Sequence, residues 1–123
     1  MGLLSFRYMY VVEGYITYKV YVKTGDFSGA TSLCVPIAEL VKCIKDLEQS
    51  QTKLTGNVTL TDTDSDSYIT FEYLNYGHAE IYGQLGGSYN DLFVKFRFQS
   101  DQTQITEIIN NLKCVLSAKS PDN

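Results

Sequence analysis

His78 is the chain's only imidazole, so any acid–base or nucleophilic mechanism built on that group must run through it. It stands beside Gly77 with no serine or cysteine motif around it, the setting of a surface or structural residue, and no general base is evident. Cys34, Cys43 and Cys114 are odd in number and widely spaced, each among apolar residues. They read as buried, reduced thiols, because a zinc site needs closely paired ligands that a single histidine cannot complete. Asp62, Asp64 and Asp66 resemble the start of a calcium loop, but Ser67 stands where the loop needs glycine and Tyr73 where it needs glutamate, and strand-forming residues flank it. Glu72 and Glu80 could be imagined as a glycosidase pair, yet carboxylates on the polar side of a half-exposed sheet are usually solvated. Gly83, Gly86 and Gly87 are followed by no helix that would offer its N-terminal amides to a phosphate, so they belong to a hairpin. The residue types therefore point away from an enzyme and call for no cofactor and no metal.

Charge placement is more informative than any of these groups. Between Lys53 and Lys95 there is no lysine or arginine, while Asp62, Asp64, Asp66, Glu72, Glu80 and Asp91 fall in that stretch of a chain whose net charge is −4. Phosphate backbones are bound by Lys and Arg, so an acidic half argues against nucleic acid as a direct ligand and suits a basic protein partner. Tyr68, Tyr73, Tyr76, Tyr82 and Tyr89 lie in the same stretch, and tyrosines beside carboxylates are common anchors and steering charges of protein interfaces. Asp62, Asp64, Asp66, Glu72, Tyr76, Glu80, Tyr82, Tyr89 and Asp91 are the expected partner-binding residues. The plainer reading stays open: acids keep a sheet soluble, and tyrosines favour strands. The sequence leaves the oligomeric state undecided.

These side chains must be positioned by strands, because alternation of apolar and polar residues is the dominant signal along the chain. Leu4, Phe6, Tyr8, Tyr10 and Val12 are expected on one face of a first strand, and Ile16, Tyr18, Val20 and Val22 on one face of a second, with a tight turn at Glu13-Gly14. A third strand runs through Phe27, Gly29, Thr31, Leu33 and Val35. The period then changes: Pro36 suits a first helical position, and Ile37, Leu40, Val41, Ile44 and Leu47 repeat at helical spacing to about Gln49. Ser50-Gln51-Thr52 reads as a linker. A fourth strand follows through Leu54, Gly56, Val58 and Leu60, and a turn from Asp62 to Ser67. Ile69, Phe71 and Tyr73 mark the fifth strand, Asn75-Tyr76-Gly77 a turn, and Ala79, Ile81, Gly83 and Leu85 the sixth. After a loop from Gly86 to Asn90, Leu92, Val94, Phe96 and Phe98 are expected on one face of a seventh. Asp101 with Gln104 forms a capping box ahead of a last helix whose core stripe is Ile105, Ile108, Ile109, Leu112, Val115 and Leu116.

The order βββα-ββββα gives an α+β fold, a curved antiparallel sheet of about seven strands with two amphipathic helices covering its apolar face. At 123 residues the chain has the size of one domain, expected over residues 1–116, with residues 117–123 as a flexible C-terminal tail. No apolar run approaches membrane-span length, and the first residues lack a secretory pattern. Together with the reduced thiols, this gives the expectation of a cytoplasmic protein that does not engage the membrane.

Leu54-Thr55-Gly56, the run from Tyr76 through Gly77, His78 and Ala79 to Gly83, and Val94-Lys95-Phe96-Arg97-Phe98-Gln99-Ser100-Asp101-Gln102-Thr103 ahead of an amphipathic helix resemble the small bacterial WapI-family immunity proteins. The resemblance covers roughly residues 27 to 113. It implies a cytoplasmic antidote that binds the toxin domain of a contact-dependent or secreted polymorphic toxin, often a nuclease, and it brings no catalytic residues. Gly77 and Asp101, which fall in these motifs, read as structural: Gly77 permits the turn, and Asp101 caps the helix. The alternative is a small protein- or ligand-binding structural domain of another kind.

Overall fold

Alternating strands that bury one face need something to bury it against, and this chain supplies it with two sheets and two helices around one core. The computed structural model describes residues 2–87 and 92–118. Strands β1 (Leu3–Val12), β2 (Tyr15–Thr24) and β3 (Phe27–Pro36) form an antiparallel sheet in the order β1-β2-β3. Helix α1 (Ile37–Lys53) leads to β4 (Asn57–Thr61), β5 (Tyr68–Tyr73), a short 3-10 turn (Asn75–Gly77), β6 (His78–Gly86) and β7 (Phe93–Asp101), which pair in the order β4-β5-β6-β7. Helix α2 (Gln102–Ala118) ends the described chain. The α+β class and the βββα-ββββα order are those expected, and the seven strands divide between the two sheets.

Ile16, Tyr18, Val20 and Val22 of β2, Leu33 and Val35 of β3, Ile69 and Phe71 of β5, Ile81 and Leu85 of β6, and Phe96 and Phe98 of β7 belong to one continuous core. The helices close it with Leu40, Ile44 and Leu47 of α1 and with Ile105, Ile108, Ile109, Leu112 and Val115 of α2. Burying such side chains contributes about 1.5–3 kcal/mol each, which is why the period of the sequence carries so much of the fold. The helices pack on each other, α2 against β1 and α1 against β4.

Four expectations shift locally. In β1 the pairing with β2 slips between Tyr8 and Tyr10, and this bulge re-aims the rest of the strand. Val11 turns to the core instead of Tyr10 and Val12, which are 51% and 58% exposed. At the other end, β7 runs past the core, so Leu92 is 81% and Val94 47% exposed, and only Phe96 and Phe98 of the expected face are buried. Pro36 is the N-cap of α1 rather than its first helical residue.

The fourth shift is at the end of α1, which continues through Ser50-Gln51-Thr52 to Lys53. Gln51 explains it: its side-chain amide donates to the Gln102 carbonyl and to Thr106 Oγ1, both at 2.7 Å, and its carbonyl accepts from the Tyr73 hydroxyl. These contacts hold the last turn against α2. Leu54 then ends the helix in the left-handed conformation, so β4 begins at Asn57 and not at Leu54.

Two details position the chain ends. Asp101 Oδ1 accepts from the Gln104 N–H at 2.9 Å, the cap expected of it. Gln104 does not return the bond to Asp101; its amide donates to the Gly2 carbonyl at 2.7 Å and its carbonyl accepts from Ser100. Asn111 of α2 holds the outer edge of β1, accepting from the Phe6 N–H at 2.8 Å and donating to the Phe6 carbonyl at 3.0 Å. Of the expected tail, Ser117 and Ala118 continue α2, and residues 119–123 lie outside the described residues.

Candidate protein-binding faces

The inner rows of the four-stranded sheet fill the core, so its other rows face outward and hold the polar residues of β4 to β7. Register places Glu72 opposite Glu80, Thr70 opposite Tyr82, and Tyr68 opposite Gln84. Glu80 in turn lies opposite Gln99, Tyr82 opposite Arg97, and Gln84 opposite Lys95. Like charges directly across a strand pair repel, and Arg97 offsets the Glu72–Glu80 repulsion. Its guanidinium forms an ion pair with Glu80 and lies 4.2 Å from the centroid of the Tyr82 ring. The pair is a surface one, worth at most about 1 kcal/mol, so its main effect is to fix the orientation of the three side chains.

This arrangement modifies the charge pattern of the sequence. The stretch between Lys53 and Lys95 is free of cations along the chain, but β7 folds back beside β6 and sets Lys95 and Arg97 on the same outward face as Glu72 and Glu80. In space the face is mixed in sign.

Asp62, Asp64 and Asp66 lie in the turn between β4 and β5, at one end of this sheet. Asp62 is committed to structure: Oδ1 accepts from the Cys34 N–H at 2.9 Å and from the Asp64 N–H at 3.2 Å, and Oδ2 accepts from the Ser65 hydroxyl at 2.6 Å. Ser67, buried, accepts from Ser65 and from the Gly86 N–H at 2.8 Å, tying the turn to β6. Asp64 and Asp66 are exposed. Tyr76 is 97% exposed in the turn at the opposite end of β5, held at a φ of 61°. The structure thus brings Glu72, Glu80 and Tyr82 together, puts the three aspartates at one end and Tyr76 at the other; Tyr89 and Asp91 lie outside the described residues.

The reactive side chains stay apart. His78 is exposed at the start of β6, opposite Asp101. The three cysteines are free, but Cys34 and Cys43 are only partly buried and Cys114 is exposed on α2, which corrects the expectation that all three would be interior. An apolar sequence neighbourhood on an amphipathic helix does not make each of its residues inward. Burial, then Asp46 and Glu39, raise the Cys43 thiol, so its thiolate is disfavoured. Among the described residues no three His, Cys, Asp or Glu side chains gather where they could hold a metal ion.

The outward face of the three-stranded sheet is a second polar surface, outside the residues expected to bind a partner. Arg7 on β1 lies opposite Lys19 on β2, with Lys23 two rows away opposite Leu3 and Ser28. The signal was the alternation Lys19-x-Tyr21-x-Lys23, which places three polar or aromatic side chains on one face of a strand.

The profile of the immunity protein WapI-like family matches residues 10–119. The chain belongs to that family. WapI-like membership carries an immunity role in general terms and, with it, the binding of a toxin partner. No curated protein matches the sequence. Among solved structures, Trypanosoma bruciei MRP1/MRP2 aligns with a TM-score of 0.45 at 11% identity, over 94% of this chain and 94% of that one. The plant transcriptional regulator PBF-2 aligns with a TM-score of 0.46 at 10% identity, over 94% of this chain and 74% of that one. No helix among the described residues of this WapI-like protein is long and apolar enough to cross a membrane.

Proposed function

We propose that this chain is a non-enzymatic immunity protein that binds and neutralises a cognate toxin domain in the bacterial cytoplasm. The observation that carries the reading is the family match over residues 10–119. The toxin belongs to a polymorphic or contact-dependent system, and a nuclease domain with a basic surface suits the acidic chain, whose net charge is −4. Contact runs over the outward face of the four-stranded sheet and its ends: Glu72, Glu80 and Tyr82 at the centre, Asp64 and Asp66 as steering charges, and Tyr76 as an anchor; Tyr89 and Asp91, outside the described residues, are proposed as contacts from their side-chain types alone. The exposure of Tyr76, Asp64 and Asp66 supports this assignment, since an anchor must be accessible before it is buried by a partner.

The test is association and dissociation kinetics with the toxin domain encoded beside this gene, at low and physiological salt. Reversing Asp64, Glu72 and Glu80 to Lys should slow association and flatten its salt dependence, and removing the ring of Tyr76 or Tyr82 should speed dissociation. If the triple reversal left both rates within about a factor of two, the outward face of the four-stranded sheet would not be the contact. If the neighbouring toxin domain neither bound the protein nor was neutralised by it on co-expression, the immunity reading itself would fall.

A further inference from the structure

The outward face of the three-stranded sheet is of one sign, unlike the mixed face of the four-stranded sheet. The chain has more carboxylates than cations, 14 against 10. Yet the outward rows of β1, β2 and β3 carry Arg7, Lys19 and Lys23 and no Asp or Glu. Arg7 and Lys19 are directly opposite each other, an unfavourable pairing across two strands. Among the described residues no carboxylate pairs with either; the ion pairs present are Arg97–Glu80 and Lys113–Glu48. What the two cations share is one ring: the Arg7 guanidinium and the Lys19 ammonium each lie 5.5 Å from the centroid of Tyr21. An exposed cation–π contact of this kind is worth about 0.5–1 kcal/mol and neutralises no charge.

Around these cations the surface is low. Their cross-strand neighbours are short, with Ser32 opposite Lys19, Ala30 opposite Tyr21 and Ser28 opposite Lys23. A hollow of about 470 Å³ opens among Leu3, Ser5, Tyr21, Lys23, Ser28 and Ala30. We propose that this face is a second binding surface, one that takes an acidic protein segment, whose carboxylates bridge Arg7 and Lys19 and reach Lys23 while its apolar side chains enter the hollow. An acidic protein fits better than nucleic acid. A polyphosphate needs many cations along its path, and here there are three on a chain of net charge −4. The apolar floor offered by Leu3, Ala30 and the Tyr21 ring also suits side chains rather than a sugar–phosphate backbone. The proposal does not depend on the identity of the toxin.

The experiment titrates isotope-labelled protein with an oligoglutamate peptide and, separately, with an oligothymidylate of the same charge, following backbone amide shifts. The peptide should shift the amides of Arg7, Lys19, Tyr21 and Lys23, and added salt should suppress the effect. In the combined Arg7→Gln, Lys19→Gln, Lys23→Gln variant the shifts should vanish while the rest of the spectrum is unchanged. Ser32→Glu is a second variant that avoids removing any native cation: it sets a carboxylate opposite Lys19, so the site is filled from within and peptide binding is lost in a fully folded protein. Tighter binding of the oligothymidylate on the same amides would overturn the proposal in favour of nucleic acid. Self-association in sedimentation that the triple Gln variant abolishes would overturn it in favour of a second copy. Peptide shifts that are absent, or that fall elsewhere, would overturn it outright.

Discussion

Asp62 and Cys34 are joined by a 2.9 Å hydrogen bond from the Cys34 N–H, and the Thr63 N–H donates to the Cys34 carbonyl at the same distance. Both main-chain groups of one residue on the outer edge of β3 are thereby satisfied by the turn between β4 and β5. This is where the two sheets are fastened, and it sets apart two aspartates that look alike in the sequence.

Asp62→Ala should accordingly destabilise the fold by about 1–3 kcal/mol, since it leaves a partly buried amide without its acceptor and removes the turn's internal bonds. Asp64→Ala, on an exposed carboxylate, should stay within about 0.5 kcal/mol. Denaturant midpoints at neutral pH check both, and equal effects would show that the latch carries no weight.

The cap of α2 offers a test of additivity. Asp101→Ala should cost about 1 kcal/mol through the freed Gln104 N–H. Gln104→Ala acts by a different route, through Gly2 and Ser100. The double variant should equal the sum of the singles within about 0.5 kcal/mol, whereas a reciprocal capping box would give a clear coupling energy.

Gly83 sits on the buried row of β6, and a Cβ there would overlap the Tyr68 carbonyl oxygen of the neighbouring strand. Gly83→Ala should cost at least about 2 kcal/mol, because the clash is with main chain and a packed core yields little. His78→Ala should leave thermal stability nearly unchanged and protection against the toxin intact. Loss of protection by a fully folded His78 variant would restore a chemical role for the imidazole.

Alkaline pH should reveal the buried phenols. Burial, with Cys43 and Asp62 nearby, drives the Tyr18 hydroxyl well above the ordinary tyrosine value, and burial pushes Tyr73 up to about 12. Both stay neutral in the folded state after the unfolded chain has begun to ionise near pH 10, so their contribution is complete below about pH 10 and is lost as pH rises from there toward the folded values. The denaturant midpoint should fall steeply above about pH 10, and Tyr18→Phe should remove much of that slope. At neutral pH the same variant should cost little, because the Tyr18 hydroxyl has no hydrogen-bond partner among the described residues.

Much of the fold was legible because burial imposes its period on the sequence. Ile16 to Val22 on β2, Ile69 to Tyr73 on β5 and the Ile105 to Val115 stripe on α2 are alternations or helical repeats that only one face can satisfy. The misreadings share a cause of another kind. The bulge at Met9 lies in the pairing of β1 with β2, the last turn of α1 is held by Gln51 against distant residues, and β7 extends beyond the core, none of which a local pattern contains. The site suffered more. Charge was read along the chain, whereas β7 brings Arg97 to Glu80 from 17 residues away, and the turn's Asp62 proved to serve β3. The basic face joins Arg7 of β1 to Lys19 and Lys23 of β2, and that grouping depends on the pairing of the two strands, which a local pattern does not contain.

The hold of Asn111 on Phe6 has a consequence for biosynthesis. The strand that needs its edge covered leaves the ribosome before the side chain that covers it, which follows 105 residues later. Until then the Leu3–Val12 segment, rich in tyrosine and other strand formers, presents an open edge to whatever β-prone chain it meets. At about 5–20 residues per second that interval lasts several seconds or more, long compared with the microseconds of hairpin formation. The nascent chain is therefore a natural client for a ribosome-associated chaperone, and chains that terminate before α2 should aggregate through their first strand.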